Sequence, residues 1–305
     1  KINIEENLIM QAVLIIAHRD IEQVLSLSEI LSTRFEVYVH FDKKMHVSDG
    51  IKQKLREKGI KFYQQIDVHW GGWSIGQVAI NLMKEALKNP DISYLHLISG
   101  QDWPLQPINT IYNYYEENDK AYMKFFDATN IKKSGEPIIW SQKYYYNYHN
   151  MNRRTLYGKI YHRVSILVQT ILRVNKFKKL GIELTIYSGS NWCDLPRDIA
   201  VYTLRYLDEH PNLLQMLKTG CFSDEFWMQT IIGNSNYKGR ISTDFHRYIL
   251  WEKKHNSYPA ILDENDYKRI CKGNFFWGRK IVKPYSNKLV DKLNKRIGEG
   301  QKYDE

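Results

Sequence analysis

The first hundred residues alternate between short apolar runs and amphipathic stretches, and this alternation limits the possible folds more than any other feature. QAVLIIA (11–17) reads as a buried strand, and 21–31 follows with apolar residues at 21, 24, 25, 27, 30 and 31, the spacing of a helix. FEVYVHFD (35–42), rich in β-branched and aromatic residues, predicts a second strand, with a polar helix near 51–58 after it. IKFYQ (60–64), a helix over 74–87 and SYLHLIS (93–99) continue the series. Regular strand–helix order predicts an α/β fold, a Rossmann-like, mostly parallel central sheet with helices on both faces.

In such sheets ligands sit at the carboxyl ends of the strands. Those ends hold the polar residues here: His18, Arg19 and Asp20 after the first, His40, Asp42 and Lys43 after the second, His69, Trp70, Gly71 and Gly72 after the third, and Ser99, Gly100, Gln101 and Asp102 after the fourth. Four strand ends thus define one rim, the expected binding site. The second half is less regular: it predicts a strand near 191–195, helices at 197–209 and from 223, a strand near 248–251, and a helix at 281–296 broken early by Pro284.

Composition enters mainly through charge. The 305-residue chain carries a formal charge of +10, and between Lys143 and Ile182 it has nine Lys or Arg residues and no Asp or Glu. A local basic block implies a specific anionic neighbour. Within it Ile160, Val164, Leu167, Val168 and Ile171 fall at helical spacing, with Lys159, Arg163 and Arg173 between them. Docking of this apolar stripe on the core is the expected outcome, and contact with an anionic membrane surface the alternative. No stretch approaches the roughly 18 apolar residues that span a bilayer, and 13–17 is too short for a signal-peptide core. A cytoplasmic protein is expected. Cys193, Cys221 and Cys271 are sparse and far apart, which fits a reducing compartment and small buried side chains rather than a disulfide framework or zinc site.

Glycine-rich phosphate cradles of the GxGxxG or GxxxxGK[ST] type are absent. Trp70-Gly71-Gly72-Trp73 is instead a glycine turn flanked by indoles, where backbone can approach a ligand and a ring can stack. Ser99-Gly100-Gln101-Asp102-Trp103 places one acid where an Asp-x-Asp metal site would need two. Phe275-Phe276-Trp277-Gly278-Arg279-Lys280 offers a guanidinium and an ammonium that could hold a diphosphate without a cation. Thr219-Gly220-Cys221-Phe222-Ser223-Asp224-Glu225-Phe226-Trp227 sets two carboxylates between aromatic groups. This stretch reads either as a helix start capped by Ser223, with acids complementing the dipole, or as the seat of a catalytic base.

Taken in order, VLIIAHRD (13–20), YVHFDKK (38–44), HWGGWSIGQVAINLMKEAL (69–87), YLHLISGQDWPLQP (94–107), YSGSNWCDLPRD (187–198), FSDEFWMQTI (222–231) and FFWGRKI (275–281) resemble the core-2/I-branching enzyme family, which includes the peptide O-xylosyltransferases. The resemblance implies a GT-A type glycosyltransferase that uses a UDP-sugar, inverts at the anomeric carbon and needs neither a divalent metal nor another cofactor. It implies Glu225 as the base and Asp224 as a more structural partner. Arg279 and Lys280 would face the diphosphate, His18, Asp42, Trp70 and Gly71 would hold the nucleotide, and Asp102 and Trp192 would line sugar and acceptor. A helix N-terminus at Glu225 would favour the ionised form and keep a base of reference pKa about 4.3 charged at neutral pH. The pattern is unmatched between about 127 and 183.

These features predict a single domain over 10–297, with a nucleotide-sugar-binding half (10–125), a basic variable segment (126–185) and a catalytic and acceptor half (186–297). The expected reaction transfers N-acetylglucosamine or xylose to a glycan hydroxyl, in surface polysaccharide synthesis, with donor and acceptor as partners and no nucleic acid. The competing reading is a non-catalytic carbohydrate- or nucleic-acid-binding module, since 22 tyrosines, 8 tryptophans and the basic block could stack on and neutralise a polyanion.

Overall fold

A computed structural model describes residues 10–129, 138–146, 148, 151 and 155–301. In chain order the first elements are β1 (Met10–Ala17), α1 (Ile21–Leu31), β2 (Glu36–Phe41), α2 (Asp49–Glu57), β3 (Lys61–Tyr63) and α3 (Ser74–Ala86). There follow β4 (Ile92–Ser99), β5 (Asp102–Pro104), α4 (Ile108–Glu116), β6 (Ala121–Asp127), α5 (Ile139–Gln142), α6 (Leu156–Ile171) and α7 (Lys176–Leu180). The remainder comprises β7 (Tyr187–Pro196), α8 (Arg197–Glu209), α9 (Pro211–Lys218), α10 (Trp227–Gly233), β8 (Ile241–Ser242), β9 (Arg247–Ile249), α11 (Tyr267–Lys272), β10 (Trp277–Arg279) and α12 (Asn287–Gln301). The chain is divided into two compact units that interleave in sequence: residues 1–65, 88–119 and 244–305 form the first, and 66–87 and 120–243 the second.

In the first unit β3, β2, β1 and β4 lie side by side and all run parallel. Their residues explain the arrangement, since Ala12–Ala17 of β1 are at most 4% exposed, and a strand covered on both faces reads as a continuous apolar run. Each such Leu or Ile contributes roughly 1.5–3 kcal/mol of burial free energy. The register pairs Ala17 with Phe41 and Ile16 with Ser99, so the three strands end level and His18, Asp42 and Gly100 emerge at one edge. A second sheet of this unit has the order β5-β10-β9, with β10 antiparallel to β5 and parallel to β9.

The second unit is built on β7, β6 and β8, with β6 antiparallel to β7 and parallel to β8. Seven main-sheet strands, mostly parallel and accompanied by helices, make the chain α/β as expected. Gly189 lets β7 approach β6, because a Cβ there would lie 1.9 Å from the Lys124 carbonyl oxygen. Helix α10 packs on β7, with Thr230 Oγ1 donating to the Tyr187 carbonyl at 3.1 Å and accepting from the Tyr187 N–H at 3.2 Å.

Three sequence expectations are corrected. No α-helix starts at Ser223: a single 3-10 turn (Ser223–Glu225) is followed by α10 only from Trp227, and the buried Ser223 hydroxyl caps nothing. The backbone leaves the helical path at Phe226 (φ −122°, ψ −32°), which separates the turn from α10. Helix α6 does not dock its apolar stripe on the core: Ile160, Val164, Leu167, Val168 and Ile171 are all exposed, while Gly158, His162 and Gln169 are buried. Finally, Cys193 and Cys221 are buried, but Cys271 is exposed. No helix among the described residues is long and apolar enough to cross a membrane.

Candidate active site

The first unit gathers five of the predicted residues at its strand ends. Asp42 follows β2, is 5% exposed, and donates its N–H to the Ala17 carbonyl at 2.8 Å. Its carboxylate accepts from the Lys44 N–H at 3.0 Å and lies 3.5 Å from the Lys44 ammonium. Asp102, 2% exposed, closes the turn after β4 by accepting the Ser99 N–H at 2.6 Å. Strand β10 runs antiparallel to β5 with Arg279 opposite Asp102, and Arg279 Nη1 donates to Asp102 Oδ1 at 3.1 Å. The charge of Asp102 is thereby committed to positioning a guanidinium.

Backbone bonds fix the rest of that loop. The Ile281 N–H donates to the Gln101 carbonyl at 2.8 Å, and the Gln23 side-chain amide donates to the Gly100 and Ile281 carbonyls at 2.8 and 3.1 Å. The Lys280 ammonium reaches Ser257 Oγ at 3.4 Å. His18 extends to solvent from the end of β1. Loss of hydration beside the protein lowers its pKa most, the cations of Arg279 and Arg19 lower it further, Asp42 opposes them, and Lys280 adds a smaller lowering. A neutral imidazole among cations can donate one hydrogen bond to an anion without adding repulsion. His40, on β2, is buried and its pKa is lowered to about 4, chiefly by that burial.

The second unit holds Trp70, Gly71, Trp192 and the acid pair. Gly71 adopts φ +75°, and a Cβ there would lie 2.3 Å from the Tyr148 hydroxyl and 3.0 Å from the Phe222 ring. Glycine is the residue that both the dihedral and the space admit. The Gly71 carbonyl accepts the Phe222 N–H at 2.8 Å, which ties the Trp70–Trp73 turn to the acid-bearing turn. Around this bond Phe222 stacks on Trp140 with centroids 4.6 Å apart and meets the exposed Trp70 edge-on at 4.8 Å. Asp224 is 5% exposed, whereas Glu225 is half-buried and its N–H donates to the Phe222 carbonyl at 3.0 Å. Trp192 lies half-buried on β7, the strand that packs on the Ser223–Glu225 turn.

Thus His18, Asp42, Asp102, Arg279 and Lys280 share the first unit's rim, and Trp70, Gly71 and Glu225 surround Phe222 in the second. Two contributors, Phe222 and Tyr148, were not assigned to the site from the sequence, and the part played by a third, Arg19, was not foreseen. Arg19 was visible as a strand-end residue, but its effect on His18 depends on packing. Phe222 stood in a motif already singled out, but its left-handed backbone and its contacts, like the approach of Tyr148 to a distant glycine, leave no trace in the sequence. Among the described residues no group of three or more His, Cys, Asp or Glu side chains could hold a metal ion.

The mostly parallel central sheet with helices around it fits a GT-A-like fold, and the family that matches the chain is one of glycosyltransferases. The family model described as Core-2/I-Branching enzyme matches residues 12–271, and the chain belongs to that family. The FFWGRKI stretch lies past the end of the match. No curated protein matches the chain. Among solved structures, the crystal structure of HddC from Yersinia pseudotuberculosis matches at 16% identity and a TM-score of 0.25, over 39% of this chain and 60% of that one; the likeness is too partial to bear on fold or function.

Proposed function

We propose that this glycosyltransferase moves N-acetylglucosamine or xylose from a UDP-sugar to a glycan hydroxyl, with inversion and without a divalent metal, in the synthesis of a surface polysaccharide. The observation that carries the proposal is the Arg279–Asp102 pair, which fixes a guanidinium at the strand-end rim beside His18 and Lys280. Roles are assigned within each unit. In the first, Arg279 and Lys280 stabilise the charge that builds on the departing diphosphate, a task that preorganised cations perform without reorganisation cost. His18 and Asp42 bind the nucleotide, and Asp102 holds Arg279 and borders the sugar.

In the second unit Glu225 accepts the proton of the acceptor hydroxyl as that oxygen bonds to the anomeric carbon. The bond from that carbon to the diphosphate breaks with its electron pair, UDP leaves, and the carboxylate ends protonated. Trp70 and Gly71 border the nucleotide, and Trp192 the acceptor. The exposure difference between Asp224 and Glu225 supports giving the second acid the chemistry and the first the framework.

The test is UDP release across a panel of UDP-sugars, with and without EDTA. Release that survives the chelator and falls roughly 10²–10⁴-fold in Glu225→Gln, with UDP affinity retained, is the expected result. Near-normal turnover of Glu225→Gln removes the base assignment, and loss with EDTA that Mn²⁺ restores removes the metal-free one.

A further inference from the structure

Helix α6 presents its faces in the reverse of the usual order. Its inner side is polar: Gln169 accepts the Tyr144 N–H and donates to the Tyr144 carbonyl, both at 2.8 Å, and His162 Nε2 lies 2.8 Å from the Met151 carbonyl. These bonds fix the rotation of the helix. Leu156, Ile160, Val164, Leu167 and Ile171, spaced by four and three, consequently form an outward row, with exposures of 76, 52, 53, 59 and 69%. Tyr157, Val168 and Leu172 widen it. An aliphatic surface of this extent on a helix pinned by specific hydrogen bonds is a built interaction face.

Charge identifies the occupant. Lys159 and Arg163 are exposed along one flank of the row, Arg173 is exposed just past the end of the helix, and the sequence from 143 to 182 contains no acid. Two copies of this face brought together would oppose like charges with no carboxylate from the segment between them, which disfavours self-association. Beside the row, an open cleft of about 410 Å³ is lined by Tyr145, Lys159, His162, Arg163 and Ile166. An apolar row flanked by cations with a cleft beside it matches acyl chains next to phosphates: the guanidinium offers a fork for phosphate oxygens and the ammonium a point charge.

We infer that α6 is a membrane-docking element that lies in the interface of an anionic phospholipid bilayer, its Leu156–Ile171 row among the acyl chains and its Lys159/Arg163 cleft on headgroup phosphates. The inference rests on the proposed surface-glycan role only for the choice of a membrane as workplace. Vesicle binding is read without turnover, so either idea can fail alone.

The experiment is flotation of the full chain with phosphatidylcholine vesicles, alone or with about one-third phosphatidylglycerol. Binding is expected to the anionic vesicles at low salt, and to weaken as salt rises. Lys159→Gln and Arg163→Gln should each weaken it about fivefold, and Leu167→Glu/Ile171→Glu at least tenfold. These residues face solvent, so circular dichroism and melting should match the parent and show that the variants fold. Absence of binding to anionic vesicles at low salt, or full binding by folded Leu167→Glu/Ile171→Glu, overturns the inference. So does a concentration-dependent dimer in sedimentation velocity that the double variant abolishes, because a second copy would then own the face.

Discussion

The Asp102–Arg279 pair gives a prediction whose size follows from its surroundings. The two side chains are 3% and 15% exposed and meet at 3.1 Å. Removing one member of a buried ion pair costs about 3–5 kcal/mol, because the remaining charge loses its compensation. In Asp102→Asn the amide oxygen can still accept the Ser99 N–H, which spares about 1 kcal/mol, so about 2–4 kcal/mol is expected. Arg279→Gln leaves a carboxylate at 3% exposure beside the Ser99 amide and should cost about 3–4 kcal/mol. The double variant strands neither charge, so its loss should fall short of the sum by about 1.5–3 kcal/mol. Equilibrium urea denaturation of the parent, both single variants and the double variant, without nucleotide, closes the cycle. Additivity within about 0.5 kcal/mol would show that the two groups do not act as one unit, and would remove the argument that Asp102 is committed to positioning Arg279.

Two further perturbations probe the second unit. Gly71→Ala combines a φ of +75° with a Cβ 2.3 Å from the Tyr148 hydroxyl, and a loss of about 2–4 kcal/mol together with reduced turnover is expected; a variant with parental melting and activity would show that the turn tolerates a side chain. Lys176 is fully buried, donates to the Met216 carbonyl at 2.8 Å, lies 5.3 Å from the Tyr144 ring centroid, and has its pKa lowered by burial to about 7, with Cys221 opposing. The unfolded chain therefore holds more protons than the folded one between about pH 7 and 10.5, and stability should rise with pH across that window. Lys176→Met should flatten this rise and melt higher than the parent at pH 7 and below, whereas parallel pH profiles of melting temperature would contradict the depressed amine.

Most of the first unit was legible because its strands are covered on both faces, which writes burial into consecutive residues such as Val13–Ala17. Three of the four expected strand ends followed, since β1, β2 and β4 end level, whereas residues 69–72 belong to the second unit. Shorter pieces escaped. Strand β5 has three residues and β10 three more, too few to show a period, and their pairing depends on the Asp102–Arg279 contact across 177 positions. The break before α10 was also hidden, because it lies at Phe226, whose φ of −122° its residue type does not announce. On α6 the apolar spacing was read correctly and its direction wrongly. Periodicity reports that a helix has a greasy side, but the hydrogen bonds of Gln169 and His162 decide which side turns inward.

Gly100 has an implication for how this strand end could change over generations. A Cβ at that position would sit 2.7 Å from Val24 Cγ2 and 3.4 Å from the Ala17 Cβ. Placing an acid two residues before Asp102 would therefore press its Cβ against packed aliphatic carbon, while the acid already present remains paired with its guanidinium. A second carboxylate at this strand end would therefore call for exchange of Gly100, of Val24 on α1 and of the β10 arginine together.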